Sequence, residues 1–157
     1  MVNKILISKN KILKLTNVIK KKIEVDEFAS IDKEVSLMDN YIKSKGAIPV
    51  GPLIQHTDII ETQDGKIEMS IILMRQSNNF INNIDDSYRM KSMVRVKNCF
   101  YTRFIGKEED IHFAYDKMNV MAYEENIKLK GDNYTIFVDK QDENIVVDIF
   151  MECMDDD

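Results

Sequence analysis

Two amphipathic helix patterns lie 80 residues apart in this 157-residue chain, and this spacing most constrains its fold. Apolar residues recur at helical spacing over residues 27–45 and over residues 109–125, so each range predicts a helix. A shift of 80 residues superposes the two apolar stripes and also places Gly51 on Gly131. Self-similar spacing of this kind indicates two copies of one supersecondary unit. The stripes are Ile31, Val35, Met38 and Ile42 in the first helix, and Ile111, Tyr115, Met118 and Ala122 in the second.

Strand patterns surround both helices and give the two halves the same order of elements. Alternating apolar residues predict strands over 12–25, 53–62 and 66–75, and again over 92–104, 133–139 and 144–152. Asp64-Gly65 and residues 141–143 are the predicted hairpin turns. Because any two amphipathic helices can be aligned by some shift, the common order and the glycine match support the duplication more strongly. The predicted fold class is α+β, with duplicated strand–helix–strand–strand units forming an antiparallel sheet with two helices on one face.

The chain is expected to be a single domain, since its length is typical of one domain. The two repeat units are predicted at about 1–76 and 88–154. Residues 77–87, SNNFINNIDDS, are polar and rich in asparagine, and this composition favours a linker between the units.

Composition argues against several classes of protein. Hydrophobic residues make up 44% of the chain and charged residues 31%, which is a globular balance. No apolar run approaches the roughly 18 residues that cross a bilayer, and the lysine-rich start is unlike a signal peptide, so a cytoplasmic protein without membrane contact is expected. The net charge of −5 argues against nucleic acid as a partner. Heavy use of lysine, isoleucine and asparagine suggests an AT-rich bacterial genome.

No set of residues predicts catalysis, a metal or a cofactor. His56 and His112 have no evident sequence partners for a metal site or a nucleophile, and the glycines are scattered singly. Cys99 and Cys153 lie in apolar strand patterns, which favours buried free thiols, although a disulfide is open if the two strands are neighbours. We therefore expect no catalytic residue, no metal ligand and no cofactor.

The second half resembles the GyrI-like effector-binding domain. Its run is YTRFIGKEEDIHFAYDKMNVMAYEEN, then GDNYTIFVD, then NIVVDIFMEC. This succession is similar to the family's strand, glycine-containing turn, helix with an aromatic near its start and two closing strands. Gly106 matches the turn glycine and Tyr115 matches the aromatic. The resemblance covers nearly the whole chain through degenerate motifs, and it implies a stand-alone effector-binding domain without a DNA-binding module.

Two departures from the family bear on the ligand. The family carries a glutamate at the floor of its ligand groove, whereas alignment on Tyr134 puts Thr135 there and Phe137 where a tyrosine follows. An uncompensated buried carboxylate favours cations and a threonine does not, so the resemblance implies a neutral or peptide ligand. Some members are hydrolases that use a tryptophan and a glutamate, and the absence of tryptophan here argues against that activity.

The predicted function is non-catalytic binding of a small molecule or peptide in the groove between the two repeats. Adaptable methionines and tyrosines suit such a groove, although ordinary core packing is the alternative for each. Asp148 interrupts an apolar strand; it either lies on an exposed face or needs a partner, for which Arg103 is the candidate. The alternative functions are a protein-interaction accessory module in a bacterial secretion, toxin or regulatory locus, and a hydrolase of the GyrI-like type. The predicted groove residues are Tyr41, Tyr101, Tyr115, Met118, Thr135, Phe137 and Asp148.

Overall fold

The computed structural model describes residues 4–155, without the side chains at 25, 27, 28 and 60. Over these residues the fold is α+β, with six strands in antiparallel pairs and two α-helices. No helix in this range is long and apolar enough to span a membrane. The elements are β1 (Ile7–Ile23), a 3-10 helix (Val25–Ser30), α1 (Ile31–Ser44), β2 (Pro49–Glu61), β3 (Ile67–Ser77), β4 (Arg89–Lys107), a 3-10 helix (Glu108–Asp110), α2 (His112–Glu124), β5 (Asn133–Gln141) and β6 (Asn144–Glu152).

Every predicted element forms, and the differences are at the ends. Both α-helices begin later than predicted because their first turns are 3-10 helices. Strands β1 and β4 are longer than predicted, at 17 and 19 residues. The two predicted turns are present, with Gly65 and Asp142 at φ 78° and 56°.

The described residues divide into two compact units, which we name by their position in the sequence. The central unit comprises residues 14–95, and the terminal unit comprises the residues before 14 together with those after 95. These boundaries differ from the predicted repeats of 1–76 and 88–154. The reason is that the long strands β1 and β4 each contribute residues to both units.

In the central unit, β3 pairs with both β1 and β2, and α1 covers one face of this sheet. Met38 and Ile42 are completely buried in α1, where they pack into the same core as Ile19 of β1. Residues 77–87 were predicted to be a linker, yet Ile81 belongs to this core and so does the adjoining Tyr88. The segment therefore has a packing role within its own unit.

In the terminal unit, β6 pairs with both β4 and β5, and α2 packs against this sheet. Ala114, Met118 and Ala122 of α2 share their core with Phe100 and Phe104 of β4. All of these side chains are buried. Met118 and Ala122 belong to the predicted stripe of the second helix, and the other two stripe residues, Ile111 and Tyr115, pack against the same core.

Left-handed asparagines interrupt the alternation of β1 and β4. Asn17 has φ 50°, and the next two residues, Val18 and Ile19, are both completely buried. Asn98 has φ 58°, and Cys99 and Phe100 after it are likewise buried. A regular strand buries alternate side chains on one face, so two buried neighbours mark a bulge.

Gly106 lies inside β4, one residue before the strand ends at Lys107, and not in a turn as the family resemblance implied. A Cβ atom there would lie 2.9 Å from Cζ of the buried Phe104 ring. The absence of a side chain therefore serves core packing. Glycine at this position makes room for an aromatic residue on its own strand.

Candidate functional site

The sheet of the terminal unit separates the predicted groove residues onto two faces. Thr135 pairs with Ile149 in the register and Ile136 pairs with Asp148, so neighbouring rows of side chains point to opposite sides. Four of the predicted residues lie at the interface between the sheet and α2, and two lie on the opposite face of the sheet. The four are Tyr115, Met118, Thr135 and Phe137, and the two are Tyr101 and Asp148.

The residues under α2 form a packed interface. Met118 is completely buried, and Tyr115 and Phe137 pack against the same core. The Thr135 hydroxyl donates to Oδ1 of Asn133 at 3.1 Å, so the Tyr115 hydroxyl donates to Thr135 Oγ1, 2.5 Å away. Burial raises the pKa of the Tyr115 phenol. Thr135 is thus a buried hydrogen-bonding residue between sheet and helix.

The opposite face holds an ion pair next to aromatic rings. Arg103 donates from Nε to Oδ1 of Asp148 at 2.8 Å and from Nη2 to Oδ2 at 3.0 Å, which is bidentate geometry. The Tyr101 hydroxyl also donates to Oδ1, at 2.8 Å. Arg103, the candidate partner that the sequence offered for Asp148, is its partner in the structure. We call Tyr101, Arg103, Asp148 and Phe150 the ion-pair face.

The ion-pair face is partly open and partly buried. The Arg103 side chain is 49% exposed and the Asp148 side chain 16%. Burial, followed by the hydrogen bond to Asp148, raises the pKa of the Tyr101 phenol. The hydrogen bond to Asp148 likewise raises the pKa of the Arg103 guanidinium. The Arg103 guanidinium therefore keeps its positive charge beside Asp148.

Apolar neighbours of this face were missed by the predicted residue set. Phe150 pairs in the register with both Tyr101 and Tyr134, and the rings of Tyr101 and Phe150 are 5.0 Å apart. Ile136 pairs with Asp148 in the same way. The two-residue period of β6 places Phe150 on the same side as Asp148, so the sequence did contain this signal.

Tyr41 lies in the central unit and has a different environment. Its ring stacks on Tyr88 with centroids 4.5 Å apart, and its hydroxyl accepts a hydrogen bond from the Asp85 backbone N–H at 2.8 Å. The ammonium groups of Lys45 and Lys21 lie 5.6 and 5.7 Å from the Tyr41 and Tyr88 centroids. These contacts attach the segment around residue 85 to α1.

Both cysteines are free and buried in the terminal unit. Burial raises the pKa of the Cys99 thiol to about 12 and also raises the pKa of the Cys153 thiol. A thiol that stays protonated is a poor nucleophile and a poor metal ligand. Within residues 4–155, no group of three histidine, cysteine or acidic side chains is placed to hold a metal.

Comparison with known proteins identifies the fold and no more. No family model and no curated protein match the sequence. EcmrR in a complex with DNA aligns with TM-score 0.65 and 14% identity over 98% of this chain, which spans 58% of the EcmrR chain. SAV2435 bound to tetraphenylphosphonium aligns with TM-score 0.53 and 11% identity over 96% of this chain and 94% of that one. A hydrolase from Listeria innocua aligns with TM-score 0.56 and 11% identity over 96% of this chain and 92% of that one. These likenesses support a GyrI-like fold.

Proposed function

We propose that this chain is a GyrI-like domain that binds a small molecule without covalent chemistry, on the ion-pair face. The observation that carries the proposal is a hydrogen-bonded charge pair, Arg103 and Asp148, held beside the rings of Tyr101 and Phe150. Small-molecule sites commonly combine apolar and aromatic surface with a few fixed polar groups. The fold shared with SAV2435, which was solved with tetraphenylphosphonium, supports the same class of function.

The charge pair favours a neutral ligand over a cation. Asp148 already accepts two hydrogen bonds from Arg103 and one from Tyr101. A second cation would meet the nearby guanidinium, so the carboxylate attracts it only weakly. An aromatic molecule with a neutral polar group would instead use the ring surfaces and the exposed side of Arg103. A preference for neutral ligands was expected from the sequence because of Thr135; in this proposal the preference is due to Arg103.

The other predicted groove residues act indirectly in this proposal. Tyr115, Met118, Thr135 and Phe137 pack the sheet against α2 and so fix the position of β5 and β6. Their substitution would alter binding through the sheet. Tyr101 and Asp148 are the predicted residues that we place in contact with the ligand.

We also propose that the two units arose by duplication, and their helix ends support this. Gly46 and Asn126, which are 80 residues apart, both have positive φ just after a helix. The Ala47 N–H donates to the Ile42 carbonyl at 3.2 Å, and 80 residues later the Ile127 N–H donates to that of Ala122 at 2.9 Å. Both helices therefore end in the same hydrogen-bonded motif at matching positions.

The binding proposal is tested with Nile red, a neutral aromatic dye, and with tetraphenylphosphonium. We expect the native protein to bind the neutral dye more tightly than the cation. Arg103→Gln leaves Asp148 without its cation, so tetraphenylphosphonium affinity should rise about tenfold, and adding Asp148→Asn should remove the gain. Arg75→Gln, which removes the Arg75–Asp39 pair of the central unit, is the matched control and should change neither affinity. Absence of saturable binding by either probe in all variants would refute the proposal.

A hydrolase is the second candidate, because the half-buried Asp148 lies beside Tyr101 and a hydrolase shares the fold. The three hydrogen bonds to Asp148 occupy much of its capacity to accept a proton, so we rank this function lower. Hydrolysis of p-nitrophenyl acetate separates the two functions. Turnover that is lost in Asp148→Asn, with the fold retained, would favour the enzyme.

Contact with a protein partner is the third candidate, favoured by the hairpin of β2 and β3. Ile59 and Met69 face each other in the register and are both exposed, and Ile67 is 74% exposed. An apolar partner surface would cover these side chains. Native mass measurement on protein from a bacterial host tests this: Ile67→Lys should release a bound partner, whereas Lys66→Gln in the adjacent turn should not.

A further inference from the structure

A cavity in the terminal unit, separate from the ion-pair face, has a largely polar lining. Its volume is about 540 Å³, which is in the range of small-molecule sites. Asn10 of β1, Asn98 of β4 and Asn126 after α2 line it from three separate segments. It shares no residue with the ion-pair face.

The three asparagines have one backbone conformation in common. Their φ angles are 58°, 58° and 57°, all in the left-handed region. Glycine adopts this region at the lowest cost, and asparagine is tolerated there. Asn17 and Asn83 also have positive φ, so the conformation alone indicates no site. The distinguishing feature is that three such asparagines line one cavity, where glycine would satisfy the backbone and supply no carboxamide.

The charges around the cavity favour an anion. Lys9 and Lys128 both line it, but Lys9 is paired with Glu125 at 2.6 Å. Lys128 takes part in no ion pair within residues 4–155. Asp155 is the acidic residue of the lining, so the two lysines outnumber it. Lys128 is the lysine of the lining without an ion-pair partner among the described residues, and its ammonium is the charge available to an anionic ligand.

The remaining lining is apolar and limits the depth of the cavity. Phe100 and Cys153 are buried, and Ile127 is half-buried. The Cys153 thiol holds its proton because burial raises its pKa, so no anionic sulfur opposes a bound anion. A ligand would place its polar groups toward the asparagines and its carbon skeleton toward this floor.

We propose that this cavity binds a small organic anion that carries hydroxyl groups. Lys128 attracts the anionic group, and the carboxamides of Asn10, Asn98 and Asn126 bond the hydroxyls. A carboxamide offers both an acceptor and two donors, which matches a hydroxyl that donates and accepts. Carboxylate and phosphate share the anionic chemistry, and the probes below separate them.

Four probes test the ligand class by calorimetry and by backbone amide NMR shifts. Gluconate and glucose 6-phosphate combine hydroxyls with a carboxylate or a phosphate, glucose has hydroxyls alone, and inorganic phosphate has charge alone. We expect at least one hydroxylated anion to bind about tenfold more tightly than glucose or phosphate. The amides of Asn98, Asn126 and Cys153 should shift. Lack of saturable binding by both hydroxylated anions, or shifts confined to other residues, would overturn the proposal.

Glycine variants separate recognition from backbone conformation. Asn98→Gly and Asn126→Gly retain the left-handed backbone and remove only the carboxamide, so the unfolding midpoint should stay close to the native value. Each should lower the affinity of the bound anion about tenfold, and Lys128→Gln should also remove its salt dependence. Asn17→Gly in the central unit, where φ is 50°, is the matched control. Native affinity in both Asn98→Gly and Asn126→Gly would overturn the proposal, and Nile red binding should be unchanged in all of these variants.

Discussion

The central and terminal units use the same order of elements but place their aromatic and charged residues differently. In the central unit, Tyr41 and Tyr88 stack on each other and attach a polar segment to α1. In the terminal unit, Tyr101 lies on the face away from α2 beside an ion pair that is half open. Tyr41 and Tyr88 thus close the structure of the central unit, whereas Tyr101 lies half-buried on the outer face of the terminal sheet.

The ion pairs follow the same division. Lys21 and Glu34 of the central unit are 2.5 Å apart and nearly buried, while Arg103 of the terminal unit is half exposed. Removing one partner of a buried pair is costly, and an accessible pair contributes little. The difference favours a stabilising role for the Lys21–Glu34 pair, and on the binding proposal it leaves the Arg103 guanidinium accessible to a ligand.

The largest expected loss of stability concerns the helix cores, in which the two units are alike. Met38 and Met118 occupy matching positions and are both completely buried. Met38→Ala and Met118→Ala should each lower the free energy of unfolding by about 3 kcal/mol, through lost burial and a new cavity. Urea denaturation measures this. A loss below about 1 kcal/mol for either methionine would show that the two helix cores are not equivalent.

The ion pairs should give a smaller and unequal effect. Glu34→Gln removes the charge that faces the nearly buried Lys21 and should cost about 2 kcal/mol. Asp148→Asn should cost about 1 kcal/mol, because water solvates the exposed Arg103. Lys9→Gln, in the exposed pair with Glu125, is the control and should change stability by less. Equal losses at Glu34 and Asp148 would contradict the division between the units.

Above pH 9, the free energy of unfolding of the native protein should depend more strongly on pH than that of a variant without the Cys99 thiol. Folding raises the pKa of Cys99 from 9.0 to about 12, so above pH 9 the unfolded chain releases a proton that the folded chain retains. This contribution to stability is complete below pH 9 and is lost as the pH rises toward 12. Urea midpoints from pH 8 to 11 should fall more steeply for the native protein than for Cys99→Ala. Parallel curves would show that the buried thiol is not linked to folding.

The smallest effects concern two tyrosine hydroxyls. Tyr115→Phe removes a hydrogen bond to the buried Thr135 and should cost about 1 kcal/mol. Tyr41→Phe frees the Asp85 N–H, which lies in an exposed residue that water can reach, so about 0.5 kcal/mol is expected. Chemical denaturation of both variants measures the difference. A larger loss for Tyr41→Phe would mean that the central segment depends on this single bond more than on ring stacking.

The helices and strands could be predicted from the sequence because the spacing of apolar residues follows the local geometry of each helix or strand. Spacing and residue type were enough to predict the stripes of both helices and the hairpin turns, and they offered Arg103 as a candidate partner for Asp148. The faces of the sheet could not be predicted, since bulges at Asn17 and Asn98 change which side chains point inward. Thr135 also required the structure, because only the pairing of β5 shows that its hydroxyl bonds with Tyr115 of α2.

The division of β1 between the units sets the order in which the protein can be completed during synthesis. Residues 4–13 leave the ribosome early, but their partners come late: Thr102 donates to the Leu6 carbonyl at 2.7 Å, and Lys117 donates to that of Ile5. The partners of residues 14–95 within the central unit are therefore all synthesised before residues 4–13 can form these contacts, which requires translation to pass residue 117. A nascent chain of this kind keeps part of a strand unpaired until its late partners are made, and unpaired strand edges are what chaperones protect.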